Sequence, residues 1–218
     1  MSDKVVIVGA SPFGSLMRKY LEQEGKWEVV AYTVESPYLK SDDFDGLPLT
    51  AFENLTKTYS PEEYCLLNTL GYVQMNGVRA RMLNTSVNRG YKHITYIHPT
   101  AVVNSPLGEG CIVLEHASIG FRNNIGKGCL FWMNTVIAHD CTIDDFTYWG
   151  PGAIACGNVK VGQRCFIGAG AVLRNRIQIA DECVIGAGSY MNRNVEVAGA
   201  VYRAPYPELH AKKASEIF

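Results

Sequence analysis

An aliphatic or aromatic residue recurs at every sixth position through the second half of this chain. We call these positions the interior stations; only Ala155 is a weak member. The stations are Leu107, Val113, Ile119, Ile125, Phe131, Ile137, Ile143, Trp149, Ala155, Val161, Ile167, Leu173, Ile179, Ile185, Met191 and Val197. A hydrophobic period of six residues predicts a parallel β-helix built from hexapeptide repeats.

Two further features follow the same period. The residue four places after a station is mostly small, and five of these positions are cysteines: Cys111, Cys129, Cys141, Cys165 and Cys183. Glycine often stands directly after a station, as at Gly120 and Gly126, where we expect a tight corner to need a backbone conformation that costs other residues energy. Three hexapeptides make one coil of eighteen residues, so residues eighteen apart stack on neighbouring rungs, roughly 4.8 Å apart.

Residues 1–96 lack this register and alternate short apolar runs with helical patterns, which predicts an α/β domain around a parallel sheet. We therefore divide the chain into an α/β domain at 1–96 and an all-β domain with a tail at 97–218. The predicted strands are Lys4–Val8, Trp27–Thr33, Tyr64–Leu70 and His93–Ile97. The predicted helices begin near Phe13 and Val78 and end near Gly25 and Gly90.

Composition narrows the class of protein. Of its 218 residues 47% are hydrophobic and 19% are charged, as in a globular protein with a good core, and the net charge of -1 gives no reason to expect nucleic acid as a partner. No stretch reads as a signal peptide or a membrane span. We expect a cytoplasmic protein whose repeat cysteines are small buried hydrophobes, with no membrane partner.

The first predicted strand and helix are joined by a short glycine-containing loop, Gly9-Ala10-Ser11-Pro12-Phe13-Gly14. Backbone amides and the helix dipole at such a place favour a phosphate. The loop is neither GxGxxG nor a P-loop, and a turn glycine packed against a helix explains it equally well. Nucleotide binding therefore stays open on this motif alone.

The chain resembles the sugar acyltransferases of the sialic acid O-acetyltransferase and bacillosamine N-acetyltransferase type. The residues that carry the resemblance are Val6 to Ser11, His98 to Ala101, Asn134 to Asp140, Pro151 to Ala153, and the Ile-Gly-Ala-Gly blocks at 167–170 and 185–188. The resemblance implies a Rossmann-like domain before a left-handed β-helix, a homotrimer with active sites between subunits, and acetyl-CoA or another short acyl-CoA as co-substrate. It also implies a nucleotide-linked amino sugar as acceptor, for bacterial glycan synthesis.

Three features of the chain, and its tail, depart from that family. Its usual glycine and histidine in the first loop are replaced by Pro12 and Phe13, and a second histidine is replaced by Tyr148. The acidic pair after the second strand is replaced by Thr33-Val34-Glu35. The end of the solenoid also differs, since this chain reads Arg203-Ala204-Pro205-Tyr206-Pro207.

Acyl transfer needs a proton acceptor beside the nucleophile and a donor aimed at the developing oxyanion. His139 stands two residues after station Ile137, at a predicted corner, and the resemblance gives it the role of base. Asp140 would orient its ring if the corner turns both side chains outward. Gly157 follows His139 by eighteen residues, so it is predicted on the next rung with its amide facing the thioester carbonyl.

The remaining candidate site residues fall into two groups. The cofactor group lies at later corners where a pantetheine arm would run: Gly157, Ala169, Asn175, Ala187 and Arg193. The substrate group joins the first loop and second strand to exposed solenoid positions: Gly9, Ala10, Ser11, Gly14, Thr33, Glu35, His116, Phe121 and Asn134. Asn134 follows His116 by eighteen residues, and Phe121 precedes His139 by eighteen. Two solenoid histidines after His98 are too few for a β-helix zinc site, so no metal is predicted.

Three functions are open at this point. The leading one is N-acylation of a nucleotide-linked deoxyamino sugar by acyl-CoA. O-acetylation of a free sugar such as sialic acid uses the same residues, and Pro12 with Phe13 favours it by weakening the nucleotide loop. A non-catalytic β-helix scaffold is the alternative from a different class.

Overall fold

The computed structural model describes residues 3–204. Its amino-terminal part is a mostly parallel sheet with the strand order β3-β4-β2-β1-β5, in which only β3 and β4 run antiparallel. The strands are β1 Asp3–Val8, β2 Trp27–Val34, β3 Asp43–Phe44, β4 Leu47–Ala51 and β5 Tyr64–Asn68. The helices are α1 Pro12–Glu24, α2 Leu55–Thr58 and α3 Gly77–Asn88, with 3-10 turns at Ser36–Tyr38 and Phe52–Asn54.

Helix α1 shows why the predicted elements form where they do. The Ser11 side chain caps its amino terminus, Pro12 occupies the first turn, and Gly25 ends the helix in the left-handed region at φ 66°. Met17 and Leu21 are the buried side chains that pack it on the sheet. The predicted strands β1, β2 and β5 and both predicted helices are present. The β3–β4 hairpin and α2 were not predicted, because their segments carry no clear hydrophobic period.

The predicted strand over His93–Ile97 is wrong as a single element. His93 forms an isolated bridge to Leu66 beside β5, whereas β6, Tyr96–Ile97, pairs with a strand of the β-helix. The chain therefore leaves the first sheet and enters the coil within these five positions.

The β-helix consists of two-residue strands separated by corners. In order they are β7 Val102–Val103, β8 Ile112–Val113, β9 Ser118–Ile119, β10 Asn124–Ile125, β11 Leu130–Phe131, β12 Val136–Ile137, β13 Thr142–Ile143 and β14 Tyr148–Trp149. They continue as β15 Ile154–Ala155, β16 Lys160–Val161, β17 Phe166–Ile167, β18 Val172–Leu173, β19 Gln178–Ile179, β20 Val184–Ile185, β21 Tyr190–Met191 and β22 Val201–Tyr202. Together with β6, over residues 3–204, they form three parallel faces of seven, six and four strands.

The eighteen-residue rung is confirmed through the middle of the helix. Ile137 pairs with Ala155, and Ala155 pairs with Leu173; all three are buried. The ends deviate by two residues: Ile97 pairs with Val113, and Ile179 bridges to Val195. Val197 is therefore not an interior station, since it is 70% exposed while Val195 is 2% exposed. The end coils have a neighbour on one side only, so their length is less constrained.

The corner glycines have a different physical reason from the one predicted. Gly120 and Gly126, directly after stations, are not in the left-handed region; a Cβ on Gly126 would lie 2.6 Å from the backbone nitrogen of Asp145 on the next rung. The left-handed residues come two places later, for example Asn134 at φ 59° and Asp140 at φ 57°. Close approach of neighbouring rungs, rather than backbone strain, selects those glycines.

Helix α3 joins the two halves through one buried cation. The Arg79 side chain is 1% exposed and donates to the carbonyl oxygens of Gly128 (2.7 Å) and Gly110 (3.2 Å) on two rungs. It also donates to the carbonyl oxygens of Asn68 (2.5 Å) and Leu70 (3.1 Å) at the end of β5. Burial lowers the Arg79 pKa to about 10, so the guanidinium stays charged at neutral pH. One side chain thus satisfies carbonyls of both sheets.

We expect Arg79→Met to lower the free energy of unfolding by about 3 kcal/mol, because four buried carbonyls lose their donor. Urea denaturation at one protein concentration measures this loss. Arg81→Met, two residues further along α3, is the matched control: Arg81 is largely exposed and pairs with Glu35, so its loss should cost less than about 1 kcal/mol. Equal losses in the two variants would contradict the role given to Arg79.

Candidate active site

The His139 side chain projects from the corner between β12 and β13 and is 57% exposed. The preceding station, Ile137, points into the core. Asp140 then adopts the left-handed conformation, and this turn sends the side chains of both His139 and Asp140 to the same outer side. From the sequence, Asp140 could orient the His139 ring only if the corner turned both side chains outward. The structure shows this arrangement.

The His139–Asp140 pair fixes which ring nitrogen is free. His139 Nδ1 lies 2.7 Å from Asp140 Oδ2. Hydrogen bonds from Arg122 and then from His139 hold the pKa of the Asp140 carboxyl well below its usual range. An ionised carboxylate only accepts, so the proton sits on Nδ1 and the lone pair sits on Nε2. The arrangement leaves Nε2 as a proton acceptor toward solvent.

Gly157 lies against this nitrogen, as the eighteen-residue spacing predicts. A Cβ built on Gly157 would stand 2.7 Å from both Nε2 and Cε1 of His139. Any other residue at this position would therefore push the His139 ring out of its place. The Asn158 amide donates to the His139 carbonyl at 2.9 Å and fixes the register of the two rungs. On the preceding rung Phe121 is 62% exposed, and its carbonyl accepts from the Asp140 amide at 3.2 Å.

The sequence reasoning missed Arg122. Its Nε lies 2.7 Å from Asp140 Oδ1 and its second terminal nitrogen lies 2.8 Å from Oδ2. Arg122 precedes Asp140 by eighteen residues, so the spacing that links His139 to Gly157 was the available signal.

The predicted cofactor residues divide between two corners. Asn175 and Arg193 are exposed at later turns of the His139 corner. Ala169 and Ala187 stack on each other at the corner between the seven-stranded and six-stranded faces, where the Gly188 amide donates to the Ala169 carbonyl at 2.9 Å. The two corners border the six-stranded face, β21-β18-β15-β12-β9-β7. A ligand that touched both groups on one protomer would have to cross that face.

His116 and Asn134 stack as predicted, but they lie away from His139. Both are left-handed and exposed, and the Asn134 amide donates to the carbonyl of Glu115, the residue before His116. They belong to the corner of Ala169, so one protomer does not bring them to the His139 ring.

The amino-terminal candidates meet at a cavity of about 270 Å³ at the carboxyl ends of β1 and β2. Five predicted residues line it: Gly9, Ala10, Ser11, Thr33 and Glu35. The rest of the lining is mostly apolar: Val8, Val34, Tyr38, Leu70, Val73, Val78 and Met82. A cavity of this size and lining suits a flat, partly apolar group such as a nucleoside.

Polar groups at this cavity largely have partners already. The Gly9 amide donates to the Thr33 carbonyl at 2.9 Å, and the Thr33 hydroxyl donates to the Thr50 carbonyl at 3.0 Å. The Arg81 guanidinium donates to the two carboxylate oxygens of Glu35 at 2.6 and 2.8 Å, and this lowers the pKa of Glu35. Among the residues that line the cavity, Glu35 is the one with a charged side chain, and that carboxylate is already paired with Arg81.

Gly14 lies beneath the first loop and does not line the cavity. Its amide donates to the Ser11 hydroxyl at 3.2 Å, and a Cβ there would stand 2.4 Å from the Gly9 carbonyl oxygen. In the fold Gly14 serves close packing and helix capping, and its assignment to substrate binding stays a prediction.

The departures from the family pattern are aromatic contacts between the two halves of the chain. Phe13 packs on Trp132 with ring centroids 5.1 Å apart. Tyr148 stacks on Phe166 at 4.7 Å and meets Tyr72 edge-on at 5.3 Å. The tail residues Pro205 to Pro207 lie outside the described residues.

Residues 3–204 contain no group of three or more His, Cys, Asp or Glu side chains arranged to hold a metal ion. Over the same part of the chain, no helix is long and apolar enough to cross a membrane.

Sequence comparison finds the repeat and one sugar-modifying relative. The model of the bacterial transferase hexapeptide (six repeats) matches residues 158–193. A GDP-perosamine N-acetyltransferase of Escherichia coli O157:H7 is 30% identical over 86 residues. That stretch is 38% of this chain and 39% of the relative, so the match spans well under half of either protein.

Solved structures match over nearly the whole chain. The acetyltransferase domain of PglB from Neisseria gonorrhoeae FA1090, in complex with acetyl coenzyme A, has a TM-score of 0.81 at 23% identity, covering 94% of this chain and 97% of that one. PerB from Caulobacter crescentus, in complex with CoA and GDP-perosamine, has a TM-score of 0.78 at 25% identity, covering 92% and 94%. The resemblance inferred from the sequence is confirmed: the chain is similar to sugar acyltransferases built on hexapeptide repeats.

Proposed function

We propose that this chain is an acyl-CoA-dependent N-acyltransferase that acetylates the amino group of a nucleotide-linked deoxyamino sugar. The observation that carries the proposal is the free Nε2 of His139, oriented by Asp140 and lying against Gly157. Similarity to PerB, whose structure holds CoA and GDP-perosamine, supports the choice of substrates.

The chemistry needs one proton acceptor and one oxyanion donor. The amine attacks the thioester carbonyl and the new C–N bond forms, while His139 Nε2 takes the amine proton. The C–S bond then breaks, and His139 returns that proton to the departing sulfur, so that CoA leaves as its thiol. The Gly157 amide would donate to the developing oxyanion, which is worth roughly 3 kcal/mol at comparable sites. No covalent enzyme intermediate is required.

The two halves divide the substrates in this proposal. The domain over 1–96 is Rossmann-like and holds the nucleotide in the cavity lined by Gly9, Ser11 and Glu35. The domain over 97–218 is the left-handed β-helix, and it holds acetyl-CoA or another short acyl-CoA along its corners. Parallel strands ending at the cavity support the first assignment, because ligands of open α/β sheets bind at the carboxyl ends of strands.

A homotrimer completes the site in this proposal. The outward residues of the six-stranded face are mostly apolar: Val102, Ser118, Val136, Ile154, Val172 and Tyr190. Those of the four-stranded face are polar: Asn124, Thr142, Lys160 and Gln178. A contiguous apolar surface favours burial against protein. The His139 corner and the Ala169 corner border this face, so packing it against another copy would set the His139 of one protomer beside the cofactor corner of the next.

O-acetylation of a free sugar such as sialic acid remains the second candidate. Pro12 has no amide hydrogen and the Gly14 amide is already bonded to Ser11, so the first turn of α1 offers few donors for a phosphate. That observation favours an acceptor without a diphosphate. The non-catalytic scaffold stays as the third outcome of the experiment below.

We expect the wild-type protein to bind acetyl-CoA saturably and to select one of UDP, dTDP, GDP and CMP in isothermal titration. His139→Asn should keep both affinities and lower acetyl transfer by about 100-fold to 10,000-fold, because the general base is removed. His98→Asn is the control: this half-buried histidine bonds to Thr100 and packs against Tyr20, away from the His139 ring, so its variant should transfer near the wild-type rate.

Other outcomes separate the candidates. Acetyl-CoA binding without any nucleotide would favour the free-sugar O-acetyltransferase. If neither acetyl-CoA nor any of the nucleotides binds, the non-catalytic scaffold becomes the favoured function. Unchanged transfer by His139→Asn would remove His139 as the base.

We expect Val172→Lys to convert a trimer into monomers, because a charge would then lie in the apolar interface. Light scattering coupled to gel filtration measures the mass, which should be three times the 24.0 kDa of one chain for the wild type. Gln178→Lys places the same charge on the polar face and should leave the mass unchanged. A monomeric wild type would rule out the shared site.

A further inference from the structure

Arg122 and Asp140 form an ion pair between successive rungs directly beside His139. Both residues are left-handed, with φ 59° and 57°, so their side chains leave the corner in the same direction on neighbouring rungs. The guanidinium meets the carboxylate with two nitrogens, at 2.7 and 2.8 Å. A two-point contact sets the plane of the carboxylate as well as its position.

We propose that Arg122 is a positioning residue: it locks the Asp140 carboxylate so that Oδ2 faces His139 Nδ1, and it offsets the charge of that carboxylate beside the ring. This inference rests on the proposed function, in which His139 takes the proton of the acceptor amine. Arg122 itself touches neither His139 nor, in this scheme, the reacting atoms.

The charge balance gives the direction of the effect. With Arg122 present, the group formed by Arg122, Asp140 and an unprotonated His139 ring has no net charge. Without Arg122 the carboxylate is uncompensated, so it stabilises a protonated imidazole and keeps Nε2 occupied at higher pH. The pair is exposed, so salt screens it, and its effect lies in orientation and protonation more than in fold stability.

The other groups around the ring do not replace Arg122. Phe121 on the preceding rung and Gly157 and Asn158 on the next carry no charge. The buried Cys141 thiol contacts the His139 carbonyl, and burial raises its pKa, so it stays neutral. Cys156 offers that thiol only its backbone carbonyl. Among the described residues of one protomer, Arg122 and Asp140 are the charged side chains in hydrogen-bond contact within this group.

The chain offers a matched control in Arg164. It also is left-handed, at φ 54°, and it pairs with Glu182 eighteen residues later, also left-handed at φ 58°. This second rung-to-rung pair lies at a different corner and, within residues 3–204, has no hydrogen bond to a histidine. If Arg122→Ala and Arg164→Ala lowered acetyl transfer equally, the loss would therefore come from a general weakening of the β-helix and not from the His139 site.

The first measurement uses the protein without substrate. We expect the NMR titration midpoint of the His139 ring to move to higher pH in Arg122→Ala and to stay at the wild-type value in Arg164→Ala. Arg122→Lys should lie between, because it keeps the charge but loses the two-point contact. An unchanged midpoint in Arg122→Ala would overturn the proposal, and so would an equal shift in Arg164→Ala. Circular dichroism checks that each variant is folded.

The second measurement follows acetyl transfer. Arg122→Ala should lower kcat about tenfold at neutral pH with little change in KM, the loss should shrink toward alkaline pH, and added guanidinium ion should restore part of it. A pH-independent loss without such rescue would indicate a merely structural role. If the wild type transfers no acetyl group, the proposed function fails, while the substrate-free titration still decides whether Arg122 controls His139.

Discussion

Parallel stacking of rungs at an eighteen-residue interval is the constraint on which the rest of the structure depends. Each outward residue has its neighbours fixed by backbone bonds to the rungs before and after, such as the bond from the Asn158 amide to the His139 carbonyl. The candidate chemistry sits entirely on this lattice: His139 lies against Gly157, and Arg122 reaches Asp140 across the same interval. A side chain held this way needs no long loop to position it, because the scaffold sets its position before any ligand arrives.

The left-handed corner residue is the second half of that constraint. Asp140 pays a conformational cost of roughly 1 kcal/mol for φ 57°, and in return the corner turns two successive side chains to the same side. On a flat strand His139 and Asp140 would point to opposite faces. Repetition of this conformation at each corner lets Arg122 reach Asp140 and Arg164 reach Glu182 by the same route. The candidate active site therefore needs no bulge or inserted loop in the β-helix. It needs particular side chains at corner positions that recur in every coil.

The hexapeptide period predicted the interior of the coil, the placement of His139 over Gly157 and the exposure of Phe121, because each follows from one repeated spacing. It did not predict Val195 in place of Val197, since an end coil has no further rung to hold its length. Arg122 was not predicted, because the glycines directly after the stations were expected to be the strained corner positions. The left-handed residues, Arg122 among them, lie two places after those glycine positions. In the amino-terminal part, periodicity found the helices and the long strands. The burial of Arg79 against four carbonyls depends on two distant segments meeting and leaves no trace in local sequence.

The departures at Phe13 and Tyr148 have one physical explanation in common. Both side chains lie where the first sheet packs on the seven-stranded face, Phe13 on Trp132 and Tyr148 on Phe166. The Phe13 ring offers apolar contact in place of a hydrogen-bonding imidazole, Tyr148 adds a large ring that keeps a hydroxyl, and the cavity beside this junction is mostly apolar. Arg79 and the aromatic contacts together hold the cavity at a set distance from the coil within one protomer. Because the Ala169 corner lies across an apolar face from His139, geometry within a single chain keeps the base and part of the predicted cofactor path apart. Contact between copies is what would bring them together.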